Sequence, residues 1–406
     1  MRGGLVAVVG GSIAGCAFAS AAARGGADGV VVLERTRGRL ADRGVGLCVH
    51  DDRAAELRAA GVLPPGIAAH PLARRSWVAA DGTPSGRVFW EQPFPFHSYH
   101  WGLLWRGLRE AVPDTVDFRQ GAAVTALTLP PAGGQGRPEV REAGGSGTAY
   151  DLVVGADGYR STVRAALCPD SRPHYAGYVC WRGNFDARLL AGPGEGPWPS
   201  DTVATVCFPG GSCVVYRIPG PDGPRVNWVL YAVPPPGSGL RLDDPTSFPP
   251  GRLTEALSGA LAGLLERRFP PYWARVLSLT PARDTLVQPI YDLETARVAG
   301  DGLLLAGDAA SVVRPHNTSG AAKALQDAGA FEAAWRAAGT WAELQARYDA
   351  ARGPAGRELV ALARRLGRAQ VERTPAWTDL TAADTAAWWR HQLGGAAGIG
   401  GGTLRT

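Results

Sequence analysis

The chain has 406 residues, of which 45% are hydrophobic, and this size and composition are typical of a soluble protein with two or three domains. Its formal net charge of +5 comes from 42 basic residues, and because Lys323 is the single lysine, 42 − 1 = 41 of them are arginines, spread among acidic residues. This spread argues against nucleic acid as a partner, and the lack of a long uninterrupted apolar run argues against a membrane span, so we expect a cytoplasmic protein.

The N-terminal residues have the pattern of a nucleotide-binding strand, turn and helix. Residues 5–9 are apolar and predict a buried strand, which leads through a glycine-rich turn into an Ala-rich helix. The turn consists of Gly10, Gly11, Ser12, Ile13, Ala14 and Gly15. Such a turn presents backbone N–H groups and the positive helix end to a pyrophosphate. Glu34, which precedes Arg35 at the end of the next apolar run, can accept hydrogen bonds from a ribose.

Two other interpretations of this segment have to be weighed. Ser12 replaces the middle glycine of the GxGxxG pattern, so an ordinary glycine-rich turn competes with a nucleotide site, although the Ser12 hydroxyl can donate to a phosphate oxygen. Arg2, the apolar stretch and the small residues 21–23 also resemble a secretory signal peptide. We favour the nucleotide site because an apolar strand at 30–33 follows where a β–α–β unit requires it.

The next part of the chain predicts a change of sheet. The segment 43–47 and a helix at 52–60 are expected to continue the first domain. Residues 76–96 alternate and are rich in Trp, Phe and Pro, which predicts strands of a different sheet. A helix is expected at 102–112, and residues 116–154 predict a small insertion of strands and turns.

A second motif places an acid at the end of an apolar strand. Residues 152–154 lead into Gly-Ala-Asp-Gly, whose Asp157 can accept hydrogen bonds from ribityl or ribose hydroxyls. Four later segments carry aromatic and β-branched residues between Pro/Gly turns, and they predict a second, strand-rich domain that would bind the substrate. These segments are residues 177–185, 201–208, 212–218 and 226–232.

A third motif returns the chain to the first domain. The apolar strand 303–305 leads to Gly307 and Asp308, whose carboxylate can hold a ribityl hydroxyl. The loop 315–320 then precedes a predicted helix, and a helix N-terminus at this place would stabilise negative charge.

Helices are predicted for most of the remaining chain. Two of them cover residues 320–338 and 341–352. Thr381 and Asp384 form a capping box for a third helix that ends near Leu393. The glycine-rich residues from 394 onward are expected to be disordered.

The three motifs, in this order, resemble those of the group A flavoprotein aromatic hydroxylases, the para-hydroxybenzoate hydroxylase type, over about residues 1–370. The 2,6-dihydroxypyridine hydroxylase-like branch has the most similar motifs. The resemblance is carried by Gly10-Gly11-Ser12-Ile13, by Val179-Cys180-Trp181-Arg182-Gly183, and by Arg314-Pro315-His316 followed by Gly320-Ala321-Ala322-Lys323-Ala324.

The resemblance implies an α/β fold, in which a Rossmann-like FAD-binding domain carries an inserted strand-rich substrate domain and C-terminal helices. The FAD-binding domain would comprise residues 1–70, 98–170 and 283–370. The substrate domain would comprise residues 71–97 and 171–282. A C-terminal helix and a glycine-rich tail would occupy 371–406.

The resemblance also implies which residues contact FAD. They are Gly10, Gly11, Ser12, Ile13, Ala14, Gly15, Glu34, Arg35, Arg43, Asp157, Gly307, Asp308, Pro315, Gly320 and Ala321. Arg43 would approach the flavin, Asp157 lies in the motif associated with FAD and NAD(P)H, and Asp308 would hold the ribityl chain. Many relatives have a GxG turn after the proline and an arginine near position 101, whereas this chain has Asn317-Thr318-Ser319 and Trp101.

The implied activity is an FAD-dependent monooxygenase that hydroxylates a small aromatic or heteroaromatic molecule such as a phenol or hydroxypyridine. NADPH or NADH would reduce the flavin, and O2 would add to its C4a position to form the hydroperoxide that transfers oxygen. His50, Tyr216 and His316 are candidates for the residue that ionises the substrate. Trp181 and Arg182 are candidates for orienting an acidic or oxygenated substrate.

Several alternatives stay open. The same fold could perform epoxidation or Baeyer–Villiger oxidation, whereas halogenation is disfavoured because the chain has no Trp-x-Trp-x-Ile-Pro segment. A protein that sequesters a flavin or ligand without turnover belongs to a different class. A plain Rossmann dehydrogenase leaves the Asp157 and Asp308 motifs unexplained. Six cysteines without a CxxC pair and seven histidines without paired spacing predict no metal site and no disulfide framework. We expect a monomer or a homodimer.

Overall fold

The computed structural model describes residues 3–38, 45–131, 136–190, 198–237, 239–240, 242, 251–396 and 398–400. The strands of this part are β1 (Leu5–Val9), β2 (Gly29–Glu34), β3 (Gly46–His50), β4 (His70–Ala79), β5 (Arg87–His100), β6 (Asp117–Gln120), β7 (Val124–Thr128), β8 (Glu139–Glu142), β9 (Gly147–Ala149), β10 (Leu152–Gly155), β11 (His174–Asp186), β12 (Thr202–Phe208), β13 (Gly211–Ile218), β14 (Arg225–Ala232), β15 (Leu286–Asp292), β16 (Ala299–Gly300) and β17 (Leu303–Leu305). The α-helices are α1 (Ile13–Gly25), α2 (Asp51–Ala59), α3 (Trp101–Glu110), α4 (Thr162–Leu167), α5 (Glu255–Arg268), α6 (Pro271–Ser278), α7 (Gly320–Ala337), α8 (Trp341–Gly367) and α9 (Ala382–Leu393).

The first sheet has the strand order β16-β17-β10-β1-β2-β6. Strands β17, β10, β1, β2 and β6 run parallel, and β16 is antiparallel to β17. The three predicted motif strands are β1, β10 and β17, so the residues that follow them emerge at one edge of the sheet. Helices α1 and α7 pack against each other through buried side chains such as Phe18 and Phe331, whose rings stack with centroids 5.1 Å apart.

The second sheet has the order β15-β11-β14-β13-β12-β4-β5-β3, and it contains all four of the strand segments predicted between residues 177 and 232. One of its faces carries Trp181, Trp228 and Leu230, which pack in a core with residues of α5 and α6. Strand β3, which the sequence assigned to the first domain, pairs antiparallel with β5 at the edge of this sheet. Pairing across such a sequence separation leaves no local signal.

Two predictions about the C-terminal third need correction. Helix α8 does not end at residue 352 but runs to Gly367, through Pro354. Buried Val360 and Leu366 stabilise this second half by packing, which offsets the hydrogen bond that a proline removes. A π-helical turn, Arg368–Glu372, then ends the helix.

The expected disorder after α9 is also wrong for the described residues 394–396 and 398–400. Ile399 is buried, and the Gly400 N–H donates to the carbonyl of Asn317 at 2.8 Å. Apolar burial and a backbone hydrogen bond therefore hold this stretch, despite its glycine-rich composition. The predicted tail beyond residue 400 lies outside the described residues.

Candidate active site

The turn between β1 and α1 requires glycine at two positions. Gly10 has φ of +101°, and a Cβ there would lie 2.4 Å from the carbonyl oxygen of Ala156. A Cβ on Gly15 would lie 1.8 Å from the carbonyl oxygen of Gly10. The turn therefore brings β1, α1 and the end of β10 closer together than side chains permit.

The α1 N-terminus has the properties of an anion site. Ser12 makes no capping hydrogen bond, and the first turn of the helix contains no acidic residue. Ile13 and Ala14 are buried there, so the backbone N–H groups and the helix dipole supply the polarity of this end. This arrangement fits the pyrophosphate of a dinucleotide.

Glu34 braces the same turn from the end of β2. Its Oε2 accepts a hydrogen bond from the Gly11 N–H at 2.7 Å, and its Oε1 accepts one from the Thr36 N–H at 2.8 Å. Each carboxylate oxygen keeps a second lone pair, so a buried Glu34 can still accept from ribose hydroxyls. Arg35 is exposed next to it.

Asp157 follows β10 and carries an oxygen without a partner. Its Oδ2 accepts from the Thr162 N–H at 2.7 Å, whereas Oδ1 is buried and has no hydrogen-bond partner. Burial raises the pKa of this carboxyl, and a hydrogen bond from Ser161 and backbone N–H groups lower it. A buried acceptor of this kind is expected where a ligand hydroxyl completes the site.

Asp308 follows β17 at the edge of the first sheet. Its side chain is exposed, yet enclosure by protein raises the pKa of the carboxyl, while Lys323 and Arg164 lower it. The carboxylate is thus accessible but close to protein on several sides. Such a position suits contact with the hydroxyls of a bound ligand.

A buried network holds the backbone before Asp308. The Gly307 N–H donates to Oδ2 of Asp327 at 2.9 Å, and Nζ of Lys323 donates to the Gly307 carbonyl at 2.8 Å. Lys323 and Arg352 both pair with Asp327, at 3.0 and 2.7 Å. Burial would raise the pKa of Asp327, but the two cations lower it below its usual value. Lys323, the single lysine, therefore has a structural partner.

The loop before α7 lies near Asp308, because Lys323 of α7 donates to the Gly307 carbonyl. Pro315 begins a 3-10 turn, Pro315–Asn317, and Thr318 has φ of +53°. A Cβ on Gly320 would meet nothing within 4 Å, and the neighbouring Ala321 is half-buried. Helix α7 thus begins at an open space, without a side-chain cap or an acidic residue in its first turn. Arg43, predicted to approach the flavin, lies outside the described residues.

The polar face of the second sheet borders the other side of this loop. Buried Arg75 on β4 donates from Nε to Oγ1 of Thr205 at 2.8 Å, and its guanidinium lies 4.2 Å from the Trp77 ring centroid. Arg182 on β11 is half-buried, and its Nε is buried without a partner. Its neighbour Trp181 points to the opposite face and is part of the apolar core. Of the two predicted substrate-orienting residues, only Arg182 has the position for it.

The structure gives His50 a local role. It precedes α2, and its Nδ1 accepts a hydrogen bond from the Asp52 N–H at 3.2 Å, which caps the helix. Its ring contacts Phe96 edge-on, with centroids 4.9 Å apart. The cap engages Nδ1, and the role of His50 in ionising the substrate stays a prediction.

Tyr216 and His316 lie on the polar side of the second sheet. Burial raises the pKa of Tyr216 well above its usual value, so it is a neutral hydroxyl at physiological pH. Burial, with Arg314 and Arg75 nearby, lowers the pKa of His316 to about 3. His316 Nε2 lies 2.9 Å from the hydroxyl of Tyr178. A neutral histidine with so low a pKa is a weak base, so hydrogen bonding suits both residues better than proton abstraction.

Tyr231 and Arg75 are site residues that sequence reasoning missed. The Tyr231 ring lies 4.3 Å from the His316 ring, centroid to centroid, and it interacts electrostatically with both Arg75 and Arg182. Period-two alternation would have placed Tyr231 on the face opposite Leu230, but only strand pairing reveals that Arg75 shares that face.

The other predictions of absence concern metals, cysteines and membranes. In the described ranges no cluster of three or more His, Cys, Asp or Glu side chains has the arrangement of a metal site. All six cysteines are free and buried, and burial raises the pKa of both Cys16 and Cys48 to about 12, so these two are neutral thiols. None of the helices within those ranges combines the length and apolar composition that crossing a bilayer requires.

Comparison with known proteins agrees with this geometry. No protein-family model matches the chain. The 2,6-dihydroxypyridine 3-monooxygenase of Paenarthrobacter nicotinovorans is 29% identical over 338 residues, which cover 80% of this chain and 80% of that protein. The 3-amino-4-hydroxybenzoate 2-monooxygenase of Streptomyces cremeus is 28% identical over 378 residues, which cover 89% of this chain and 86% of that protein.

Solved structures show the same fold. The 2,6-dihydroxypyridine-3-hydroxylase from Arthrobacter nicotinovorans aligns with a TM-score of 0.77 and 25% identity, over 92% of this chain and 94% of that one. Klebsiella pneumoniae HpxO, complexed with FAD and uric acid, aligns with a TM-score of 0.74 and 20% identity, over 96% and 92%. Homologues and structural neighbours are FAD-dependent aromatic hydroxylases, and the chain is an FAD-dependent monooxygenase of this type, with a Rossmann-like domain and a substrate-binding domain.

Proposed function

We propose that this protein hydroxylates a small aromatic or heteroaromatic molecule, with FAD as its resident cofactor, NADPH or NADH as the reductant and O2 as the oxidant. The main evidence is that three motifs lie at one edge of the first sheet. The glycine turn, Asp157 with its unpartnered oxygen, and the exposed Asp308 follow the parallel strands β1, β10 and β17. One extended dinucleotide can contact all three.

The residues present fit FAD in distinct roles. We assign the pyrophosphate to the N–H groups of residues 10–15, the adenosine ribose to Glu34, and the ribityl hydroxyls to Asp308. The Asp157 carboxylate supplies a further acceptor near the same chain. Bound FAD supplies the reduction and oxygen chemistry that amino acid side chains cannot perform.

The protein itself positions the flavin and the substrate, excludes water from them and supplies polar groups around them. The N-terminus of α7, free of acidic residues, stabilises negative charge on a reduced ring placed beside residues 315–321. The polar face of the second sheet forms the opposite wall, where Tyr216 and Tyr231 are buried hydroxyls that can donate to an oxygen of the substrate. We therefore assign the first sheet with α1, α7 and α8 to FAD, and the second sheet to the substrate.

The visible absorption spectrum of the purified protein tests the proposal. A flavin spectrum that bleaches on anaerobic addition of NADPH, and bleaches faster with an aromatic compound present, supports it. Oxygen consumption matched to formation of a hydroxylated product then establishes the reaction. A protein that takes up no FAD contradicts the proposal, and so does FAD that neither NADPH nor NADH reduces.

A further inference from the structure

The strand register places two arginines on one face of the second sheet. Arg182 on β11 pairs with Val229, which pairs with Val214, and Val214 pairs with Thr205. Thr205 in turn lies beside Trp77 on β4, two residues after Arg75. Directly paired residues share a face, as do residues two apart along a strand. Arg75 and Arg182 therefore both project to the side opposite the α5 and α6 core.

Neither guanidinium group has a carboxylate partner among the residues that the structure describes. The contacts of Arg75 are with neutral groups, namely Thr205, the Trp77 and Trp389 rings and, at 3.5 Å, the Gln370 carboxamide oxygen. The polar neighbours of Arg182 are Cys180, which shares a hydrogen bond with it, Tyr231 and Tyr216; burial lowers the pKa of Arg182, and these three neighbours raise it. Burial raises the pKa of all three neighbours, so each is uncharged at physiological pH. A buried cation without an anion costs several kcal/mol, on the order of the penalty for one desolvated ion.

Burial has a large effect on the pKa of Arg75. It lowers the pKa of this guanidinium to about 10, while Cys207, Tyr231 and Cys48 act in the opposite direction. The group is still charged at neutral pH. A second positive charge thus stands near Tyr231, which also interacts with Arg182.

Further hydrogen-bonding atoms on this side are buried without partners. They are Nε of Arg182, Oγ of Ser212, Nδ2 of Asn227 and Nε2 of Gln370. Ser212 and Asn227 share the face of the two arginines through the same register, and Gln370 reaches it from the π-helical turn after α8. All four atoms can donate, and buried donors in native proteins normally have an acceptor. The missing partner is therefore rich in acceptors and negatively charged.

We propose that this face binds the carboxylate of an aromatic acid, so that the substrate is an aromatic carboxylate whose acid group contacts Arg182. Arg182 has the role of direct contact because its side chain keeps accessible surface and its Nε is unpaired, whereas Arg75 is engaged by Thr205 and stacked on Trp77. Arg75 is a positioning residue that adds positive potential. The inference rests on the proposed function, because it names the substrate class of that same site.

Matched ligands test the inference without any substitution. The FAD-loaded enzyme is titrated with 4-hydroxybenzoate, 3-amino-4-hydroxybenzoate and 4-hydroxyquinoline-2-carboxylate, each beside its own carboxamide, and binding is read from the flavin absorption spectrum. We expect at least one acid to bind about tenfold or more tightly than its amide, the effect of one charge-assisted contact. Equal binding of every acid and amide overturns the proposal, and so does an enzyme that binds none of the acids.

Variants then locate the contact. Arg182→Gln should abolish the preference for the acid, and Arg182→Lys should restore part of it, because lysine keeps the charge but not the two-pronged geometry. Arg75→Gln should weaken acid binding less than Arg182→Gln does. Arg283→Gln, whose side chain is 79% exposed, is the matched control and should bind as the natural protein does. A preference that survives in Arg182→Gln contradicts the assignment.

Failure of this inference is distinguishable from failure of the proposed function. If the substrate class is wrong, the protein still holds FAD, NADPH or NADH still reduces it, and uncharged phenols or hydroxypyridines stimulate the reduction. If the proposed function is wrong, FAD uptake or reduction fails before any aromatic ligand is added. If Arg182→Gln does not fold, the acid and amide comparison on the natural protein still decides.

Discussion

The molecule buries positive side chains in two places and treats them differently. Beneath the Gly307 turn, Lys323 and Arg352 both pair with the buried carboxylate of Asp327. On the polar face of the second sheet, Arg75 and Arg182 have neutral neighbours only, within the part of the chain that the structure describes. The first cluster is electrostatically complete, and the second is not.

This difference suggests that the Asp327 cluster supports the fold, whereas the two arginines of the second sheet bind a ligand. A paired cluster such as Asp327 with its two cations can fix the backbone of a ligand-binding loop, and it gains nothing from a ligand. An unpaired buried cation costs free energy until an anion arrives, and that cost is returned as binding energy. The two places should therefore respond in opposite ways to removal of a charge.

The largest expected effect is on the complete cluster. Asp327→Asn leaves Lys323 and Arg352 buried without an anion, and we expect the free energy of unfolding to fall by about 3–5 kcal/mol. Denaturant unfolding of the FAD-free protein measures it. Asp284→Asn, which removes an exposed carboxylate 3.9 Å from Arg283, is the control and should change stability by less than about 1 kcal/mol. Similar losses in both variants would mean that the buried Asp327 carboxylate contributes no more to stability than an exposed one.

The second prediction uses His316, which lies near the incomplete cluster. Its folded-state pKa is about 3, because of burial and of Arg314 and Arg75, against an ordinary value of 6.5. Between these two pH values the unfolded chain binds a proton that the folded chain does not, so stability falls as the pH falls. The natural protein should lose about 1.4 kcal/mol more per pH unit than His316→Gln in this window.

Denaturant titrations of both proteins from pH 8 to pH 4 check this dependence. Above pH 7 the two stability curves should run parallel, which provides an internal control for other effects of the substitution. Equal slopes below pH 6 would mean that His316 is protonated in the folded protein. That outcome would require an anion beside it, and the second cluster would then be complete without a substrate.

The sequence was informative about the edge of the first sheet that we assign to FAD, because its signals are local. The turn at 10–15, Asp157 and Asp308 each follow an apolar strand directly, and the parallel strands β1, β10 and β17 place them at one edge as predicted. The four strand segments between residues 177 and 232 and the capping box at Thr381 were predicted for the same reason. Short-range patterns of this kind depend on few neighbours.

The polar face of the second sheet, with Arg75 and Arg182, depends on contacts between residues that are remote in sequence. Arg75 on β4 and Arg182 on β11 share a face only through the pairing of five strands, and Gln370 contacts Arg75 from a π-helical turn that follows an uninterrupted helix past Pro354. Nothing near Arg75 in the sequence distinguishes it from the many exposed arginines of the chain. His50 shows the reverse case, since its position after a predicted strand suggested chemistry but its imidazole caps α2.

The third prediction tests the glycine turn before α1. In Gly15→Ala the new Cβ would lie 1.8 Å from the Gly10 carbonyl oxygen, so the turn must shift. We expect a loss of about 1–3 kcal/mol in stability and a loss of FAD uptake, measured by denaturation and by absorption at 450 nm (roughly the flavin maximum). Gly259→Ala, on α5 with open space around the new Cβ, should keep its FAD and gain helix stability. Full FAD uptake by Gly15→Ala would contradict the assignment of this turn.

The smallest expected effect is the most discriminating, because it compares one chemical change in the two places. Arg352→Gln removes half of the cation pair around Asp327 and should destabilise the protein by about 3 kcal/mol. Arg182→Gln removes a charge that has no carboxylate partner and whose desolvation cost is opposed by contacts with Cys180, Tyr231 and Tyr216, so we expect a net change within about 1 kcal/mol.

Denaturant unfolding of both arginine variants, without substrate, gives the two values directly. If Arg182→Gln lowers the free energy of unfolding as much as Arg352→Gln does, the Arg182 guanidinium stabilises the fold and is not an unpaired cation that awaits a ligand. If Arg182→Gln is nearly neutral, an added aromatic acid should raise the melting temperature of the natural protein but not that of the variant, since only the natural protein offers the unpaired cation. The unfolding measurements and the ligand-induced shift in melting temperature would then be two independent measurements of the unpaired charge on Arg182.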